Sequence, residues 1–296
     1  MSGNKIISVC VPTYNRADCL KDLLNSIVCQ FDNKEVCEQV EVVISDNASA
    51  DNTMAVVKTY QENFDNIRYL RNQENLGFDR NLLNAIEQSS GQYCLTIGDD
   101  DGFFPGSFAL LLEKIKTIGA PYFMLNCWGY DHWLKEPVLS QPNQKLEKDA
   151  VYDTLADFVK SIKNYLDLVG FFGGMSTQLF LRKTWLDFET KNEYIGTSTI
   201  HFFVLLQAFK NSRFALLAEP FIKTRNDNLR WDSYQGLENN YKRSVGTARA
   251  VFWIANLYGL PISRSKVYAY FLIRGCWVSF KELIKKILKK MGWRKK

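Results

Sequence analysis

The chain has 296 residues, 46% of them hydrophobic and 23% charged, a balance that excludes a disordered chain. The length suits one large α/β domain, or a domain of about 200 residues with a smaller appendage. The net charge of +5 is unevenly placed: Lys281–Lys296 holds eight basic residues and one Glu, and subtracting that +7 leaves −2 for the other 280. A nucleic-acid-binding body is thereby excluded.

In chain order, Ile6–Val11 reads as a continuous apolar strand, and Arg16–Gln30 as a helix with Leu20, Leu23, Leu24 and Ile27 on one face. Val40–Ser45 is a second strand, Asp51–Glu62 a helix, Ile67–Leu70 a short strand and Asp79–Gln88 a helix. Tyr93–Ile97 is a fourth strand, Pro105–Ile118 a helix with Pro in its first turn, and Tyr122–Asn126 a strand. Residues 127–170 read as loop plus one helix, and Gly170–Gly174 as a glycine-rich turn into a strand at Ser176–Leu181. A helix at Ser198–Phe209 and a strand at Phe214–Leu217 follow, and from Gly236 the pattern is helical to the end. Apolar strands alternating with amphipathic helices predict an α/β fold, a Rossmann-like, mostly parallel sheet flanked by helices. Right-handed crossovers place the strand C-terminal ends on one edge, where ligands bind.

That edge collects the polar residues: Thr13-Tyr14-Asn15-Arg16, Asp46-Asn47-Ala48-Ser49, Asn75 to Asn81, and Gly98-Asp99-Asp100-Asp101. Three adjacent carboxylates repel one another by several kcal/mol at about 4 Å when partly desolvated. A divalent cation relieves this, and Mg²⁺ or Mn²⁺ takes few carboxylates plus phosphate oxygens and water. Asp99, Asp100 and Asp101 therefore read as metal ligands for an ion bridging the diphosphate of a nucleotide-sugar. A solvated acidic loop before the helix at Pro105 is the plain alternative. Asp46 is placed to accept a hydrogen bond from a base N–H, or to cap the following helix in an Asx turn. No Gly-x-Gly-x-x-Gly follows the first strand and no Walker-type loop is present, so nicotinamide, flavin and P-loop chemistry are excluded.

The seven cysteines form no Cys-x-x-Cys pair and the two histidines, 132 and 201, are far apart, so no zinc site is written. Cysteines inside apolar runs, such as Cys10, read as small buried groups in a reducing compartment. With no signal peptide and no apolar run of about 18 residues, a cytoplasmic chain is expected.

Val9-Cys-Val-Pro-Thr-Tyr-Asn-Arg16, Val43-Ile-Ser-Asp-Asn-Ala-Ser49, Asn75-Leu-Gly77 and Leu95-Thr-Ile-Gly-Asp-Asp-Asp101 together resemble family 2 glycosyltransferases of the GT-A fold. The match covers residues 5–125, and more loosely extends to 230. Within the family the chain looks most like bacterial enzymes that add sugars to O-antigen or capsule precursors, such as abequosyltransferases. The resemblance implies that Pro12, Tyr14 and Arg16 border the nucleotide, that Asp46 reads its base, and that Asn75 and Arg80 lie near the base or diphosphate. It makes Asp99 and Asp101 the ends of an Asp-x-Asp element. Members often carry Asp where Gly98 stands, which makes Asp100 a strong candidate for the metal, Mn²⁺ or Mg²⁺. The Glu-Asp pair that supplies a base in inverting members is missing from Glu193-Tyr-Ile-Gly-Thr-Ser-Thr-Ile-His201. His201, Glu193 and Asp187 are the candidates for the base, with His201 also a candidate metal ligand. Asp227-Asn-Leu-Arg-Trp231 echoes the end of the Gln-x-x-Arg-Trp motif of processive members, without their membrane helices, so addition of a single sugar is expected.

The resulting division is a GT-A domain over 1–235, with a nucleotide-sugar half at 1–126 and an acceptor half at 127–235, then a helical region at 236–296. In that region Phe280, Leu283, Ile284, Ile287, Leu288 and Met291 keep helical spacing among lysines. Such a stripe reads as a helix lying on an anionic membrane surface. The expected partners are a nucleotide-sugar donor, a lipid-linked oligosaccharide acceptor and, through Lys281–Lys296, the inner face of the cytoplasmic membrane. A nucleotidyltransferase lacks its glycine-rich phosphate loop here; the other reading is a non-catalytic glycan- or nucleotide-binding module of a membrane-associated assembly complex, which three adjacent carboxylates disfavour and the missing Glu-Asp base keeps open.

Overall fold

The computed structural model describes residues 5–138, 142, 146–163, 168–226 and 249–261. Four apolar segments form the first half of the sheet: Ile7–Thr13 (β1), Val40–Asp46 (β2), Ile67–Arg71 (β3) and Tyr93–Thr96 (β4). β1, β2 and β4 are buried along their whole length, as parallel strands covered on both faces must be. They pair in parallel with Thr13 opposite Asp46, Asp46 opposite Arg71 and Cys10 opposite Thr96, so all four deliver their C-terminal ends to one edge. Between them run the helices Ala17–Val28 (α1), Lys34–Gln39 (α2), Thr53–Gln61 (α3) and Phe78–Glu87 (α4). The stripe of α1 is realised: Leu20, Leu23, Leu24 and Ile27 are fully buried, each contributing about 1.5–3 kcal/mol of apolar transfer.

The second half of the sheet turns mixed. It comprises Gly102–Phe103 (β5), Tyr122–Tyr130 (β6), Ala150–Tyr152 (β7), Gln178–Leu181 (β8) and Phe214–Arg225 (β9), giving the order β3-β2-β1-β4-β8-β6-β9-β5 with β7 on β9. β8 runs antiparallel to β4, with Gln178 opposite Thr96, so the residues just before β8 arrive at the same edge as the end of β4. β6 and β9 run parallel to each other, antiparallel to β8 in the case of β6, and their final residues return to that edge as well. The helix Ser107–Ile118 (α5) is closed by Gly119 in the left-handed conformation, φ 63°, which glycine adopts without strain. The short helices Leu155–Ser161 (α6), Leu168–Phe172 (α7) and Arg182–Leu186 (α8) and the longer Ile200–Ala208 (α9) complete the named elements.

Four expectations are corrected. Residues 127–170 hold more than loop and one helix, since β6 runs on to Tyr130 and β7, α6 and α7 follow. The glycine-rich turn expected at Gly170–Gly174 begins as helix, because α7 continues to Phe172. β9 continues through Pro220 to Arg225; a register shift on β6 at Asn126, opposite Pro220, absorbs the missing N–H donor. α2 was not expected; Asn33 caps it by accepting the Val36 N–H at 3.3 Å.

The chain divides into two compact units, Met1–Phe158 with Gly173–Asp227, and Val159–Phe172 with Asn228–Lys296. In the second, residues 249–258 are helical; the rest of the expected helical tail, with Arg230, Trp231 and Lys281–Lys296, lies outside the described residues. Among the described residues no helix is long and apolar enough to cross a membrane.

Candidate active site

The polar edge is built by stitching loops together. After β1, Asn15 takes φ 52°, and its backbone N–H donates to Ser49 Oγ at 2.8 Å while its Oδ1 accepts from the Ala50 N–H at 2.7 Å. The Ala17 N–H at the start of α1 donates to Asp51 Oδ2 at 3.0 Å. Pro12 is buried within β1 opposite Ser45, and Tyr14 is exposed at the mouth. Asp46 is fully buried at the end of β2; its Oδ1 accepts from the Ser49 N–H at 2.9 Å, its Oδ2 from the Tyr69 hydroxyl, and Arg71 Nε stands 3.6 Å away. This is the Asx-turn geometry that its position after a strand allows.

Beneath these loops lies an asparagine network. Asn47 Nδ2 donates to Asn75 Oδ1 at 2.7 Å, and Asn47 Oδ1 accepts from the Leu76 N–H at 2.8 Å. Asn81, buried on α4, donates to the Ser45 carbonyl at 2.8 Å and accepts from Asn72 Nδ2 at 2.9 Å and Ser45 Oγ at 2.7 Å. A buried amide so fully bonded fixes the strand ends relative to α4, since each lost partner costs about 1–3 kcal/mol. Asn75 and Arg80 are exposed on this shelf, and Arg80 has no hydrogen bond or ion pair among the described residues.

The acidic turn sits at the centre. Asp99 is buried, with Oδ2 accepting from Thr13 Oγ1 at 2.8 Å and Oδ1 from Arg16 Nη1 at 3.0 Å. The same Arg16 nitrogen donates to Asp100 Oδ2 at 2.9 Å. Asp101 accepts from the Ser176 hydroxyl at Oδ2 and from the Arg225 backbone N–H at Oδ1, 3.0 Å. The Arg225 side chain donates to the Asp100 carbonyl at 2.7 Å, to Asp22 Oδ2 at 2.8 Å and to the His132 carbonyl. Burial pushes the Asp99 carboxyl up to about 6, against the pull of Arg16 and with the push of Asp100. Burial and the Asp100 charge push Asp101 up to about 7, against the hydrogen bonds from Ser176 and Arg225.

Among the described residues no three acidic, histidine or cysteine side chains converge into a protein-only metal cage. The three carboxylates do fit a cation shared with a phosphate ligand, which needs only one or two of them. Asp99 and Asp101 have both oxygens engaged by protein groups, and Asp100 accepts from Arg16 at Oδ2 with its Oδ1 over Gly98, where an added Cβ would lie 2.7 Å away. Gly98 therefore makes the cradle that Asp100 fills.

The three candidate bases are dispersed. Asp187 is exposed and paired with Lys183 at 2.6 Å, after α8, which begins where β8 has run to the edge away from the acidic turn. Glu193 is exposed. His201, in the first turn of α9, is buried, with Nε2 3.1 Å from the Gly173 carbonyl and Nδ1 without a partner. Burial holds its imidazole down at about 4, so it is neutral at pH 7. A carbonyl only accepts, which assigns the proton to Nε2 and the free lone pair to Nδ1. Gly173 lies three residues before Ser176, the partner of Asp101, so the bonds that hold His201 and Asp101 are made by neighbouring residues of one segment.

The motifs do not announce that Thr13 bonds Asp99, nor that Ser176, Arg225, Asn72 and Asn84 belong to the site, although Asn47, Asp79 and Asn81 already stand among the polar strand ends. Ser176 and Arg225 lie 75 and 124 residues from Asp101, and no local pattern announces such pairings.

The family model "Glycosyl transferase family 2" matches residues 8–180, more than half of the chain. The abequosyltransferase RfbV of Salmonella typhimurium is 31% identical over 238 residues, covering 78% of this chain and 68% of that protein. The GalNAc(5)-diNAcBac-PP-undecaprenol beta-1,3-glucosyltransferase of Campylobacter jejuni is 34% identical over 122 residues, covering 41% of this chain and 38% of that one. Among solved structures, S. aureus TarS 1-349 in complex with UDP-GlcNAc has TM-score 0.60 at 19% identity, covering 90% of this chain and 71% of that one; at this identity the likeness speaks for the fold alone. The chain belongs to glycosyl transferase family 2, has the GT-A-like fold, and is a glycosyltransferase.

Proposed function

We propose that the protein transfers one sugar from a nucleotide-sugar donor to a lipid-linked glycan acceptor in the synthesis of a bacterial surface polysaccharide, with Mn²⁺ or Mg²⁺ as cofactor. The observation that carries the reading is the Asp99–Asp101 turn, held at the edge where four parallel strands end and met there by Arg16. Pro12, Tyr14 and Arg16 border the nucleotide, and Asp46, held rigid by Ser49 and Tyr69, reads the base beside the Asn47–Asn75 pair. Arg80 takes the diphosphate, and Asp100 is the carboxylate best placed to share the metal with it. When bound, that metal neutralises the charge that grows on the diphosphate as the sugar leaves.

The protein's own groups do the rest. Arg16, released from Asp99 and Asp100, becomes a guanidinium donor to the departing phosphates. His201 Nδ1 accepts the proton of the acceptor hydroxyl as that oxygen bonds to the anomeric carbon and the bond to the nucleoside diphosphate breaks. His201 is favoured over the exposed Glu193 and Asp187 by its bond to Gly173, three residues before Ser176, and by a buried Nδ1 that has no partner. The lipid-linked acceptor, and the inner membrane face as the place of work, are supported by the undecaprenol-linked substrate in the name of the Campylobacter relative and by the basic segment Lys281–Lys296.

Calorimetric titration of UDP, GDP, CDP and dTDP, with and without Mn²⁺, tests the reading. One diphosphate should bind, and Mn²⁺ should tighten it by at least about tenfold, a gain of about 1.4 kcal/mol, that Asp100→Ala abolishes. Binding of none of the four would sink it.

A further inference from the structure

The first turn of α4 carries a residue that the donor site does not use. Asp79 is buried, and its carboxylate bonds residues more than a hundred positions later in the chain. Its Oδ2 accepts from the Gly196 N–H and the Ser198 N–H, each at 2.8 Å, and its Oδ1 from the Ile200 N–H at 3.2 Å. These three donors belong to the segment that leads into α9, whose own N-cap residue Thr199 makes no side-chain cap bond. Asp79 thus supplies from another helix the acceptor that α9 lacks. Next to it, Phe78 sets its ring edge-on to the His201 imidazole, with centroids 6.5 Å apart.

The segment it holds is one that would not stay in place unaided. Gly196 has φ 93° and Ser198 φ 58°, the latter a left-handed conformation that strains a residue with a side chain unless its surroundings enforce it. Both flank Thr197, and both give their N–H to the same carboxylate oxygen. The bonds from Asp79 are therefore what maintains the bend that brings His201 into the first turn of α9, and the bend decides where the imidazole stands.

We propose that Asp79 is the positioning residue for His201, fixing the imidazole, through the backbone of residues 196–200, to the helix whose next residue, Arg80, serves the donor. This rests on the reading of His201 as the base. Its consequence is that donor and acceptor chemistry are gauged from a single helical turn, Phe78-Asp79-Arg80, so that neither half of the site moves independently of the other.

The chain has only two histidines, 132 and 201, which makes the ring directly observable. The full-length protein labelled with ¹⁵N-histidine should show, for His201, a single neutral tautomer with the proton on Nε2; His132→Gln assigns the signals. In Asp79→Asn, which keeps the volume but replaces one of the two acceptor oxygens by an amide N–H₂ that must face at least one of the three N–H donors, the two ring nitrogens of His201 should shift towards each other as the tautomer preference is lost. Gly196→Ala attacks the same bend from its other end, where an added Cβ meets nothing within 4 Å, so only the backbone conformation is disturbed. The same shift is expected there, and this second variant carries the test if Asp79→Asn does not fold. His201 signals identical to wild type in whichever of these variants fold overturn the positioning role. Sugar transfer that survives His201→Gln, alongside the expected shifts, instead overturns the base reading and with it the purpose assigned to Asp79.

Discussion

Asp99 and Asp101 pull the pH dependence of stability one way and His201 pulls it the other. Both carboxyls are raised by burial, to about 6 and about 7, from the ordinary 3.8. Between pH 4 and 7 the folded protein therefore holds more protons than the unfolded chain, and stability falls as pH rises through that window. His201 is lowered to about 4 from 6.5, so between these values the unfolded chain holds more protons. Its contribution, up to about 3 kcal/mol, is present above pH 6.5 and lost as pH falls towards 4. Because the windows overlap, only differences between variants separate them. Asp101→Asn should raise the melting temperature at pH 7.5 and not at pH 4, and His201→Gln should remove a loss of stability that wild type shows between pH 6.5 and 4. An Asp101→Asn melting curve that tracks wild type at both pH values would mean that the acidic turn is not strained by its own charge. The turn itself was legible as three carboxylates after an apolar strand. That Arg16 bridges two of them was not, because a motif names neighbours along the chain and a side chain reaches across it.

At the scale of elements, the alternation of apolar runs and helical stripes gave β1 to β6 and α1 to α5, apart from α2 and the two-residue β5, with their ends displaced by a few residues. What escaped it had too little periodicity to read. α2 is a turn and a half with one buried residue, Val36, and its boundary is set by the Asn33 cap rather than by a stripe. The apolar run of β9 is legible only to Leu217, and the strand continues through Pro220 opposite a register shift on β6. The edge remote from the site is held as tightly as the site itself. Ser8 Oγ accepts the Gly91 N–H at 2.7 Å and donates to Glu41, which also accepts from the Ser90 N–H at 2.6 Å. A Cβ at Gly91 would stand 2.6 Å from Ser8 Oγ and 2.7 Å from the Ser8 backbone nitrogen, and a backbone atom inside a paired strand cannot give way. Gly91→Ala should therefore cost about 1–3 kcal/mol, read as a lower denaturant midpoint. Nucleoside diphosphate binding should be unchanged, because Gly91 precedes the start of β4 and the acidic turn follows its end.

For the molecule as a whole, charge is partitioned as sharply as function. The 280 residues before Lys281 sum to −2 and Lys281–Lys296 to +7, so an anionic surface attracts one end of the chain and is indifferent to, or weakly repels, the rest. Family membership was legible because four motifs fall at successive strand ends, where the fold concentrates what a donor needs. The segment proposed to bring the enzyme to a membrane carries no such motif, only Phe280, Leu283, Ile284, Ile287, Leu288 and Met291 at helical spacing with lysines between them. Each basic residue near an anionic leaflet contributes about 1 kcal/mol, and the apolar stripe adds the burial of its side chains. A chain truncated after Phe280 should then lose at least about a hundredfold in partition onto vesicles of phosphatidylglycerol and phosphatidylcholine, measured by co-sedimentation at 0.1 M salt. Raising the salt to 0.5 M should weaken the full chain and leave the truncated one as it was, since screening acts only where the charge remains. Its nucleoside diphosphate affinity should match the full chain, because the groups assigned to the donor all precede residue 102. Vesicle binding that survives the truncation would place the membrane contact elsewhere on the protein and reduce the lysines to a solvated face.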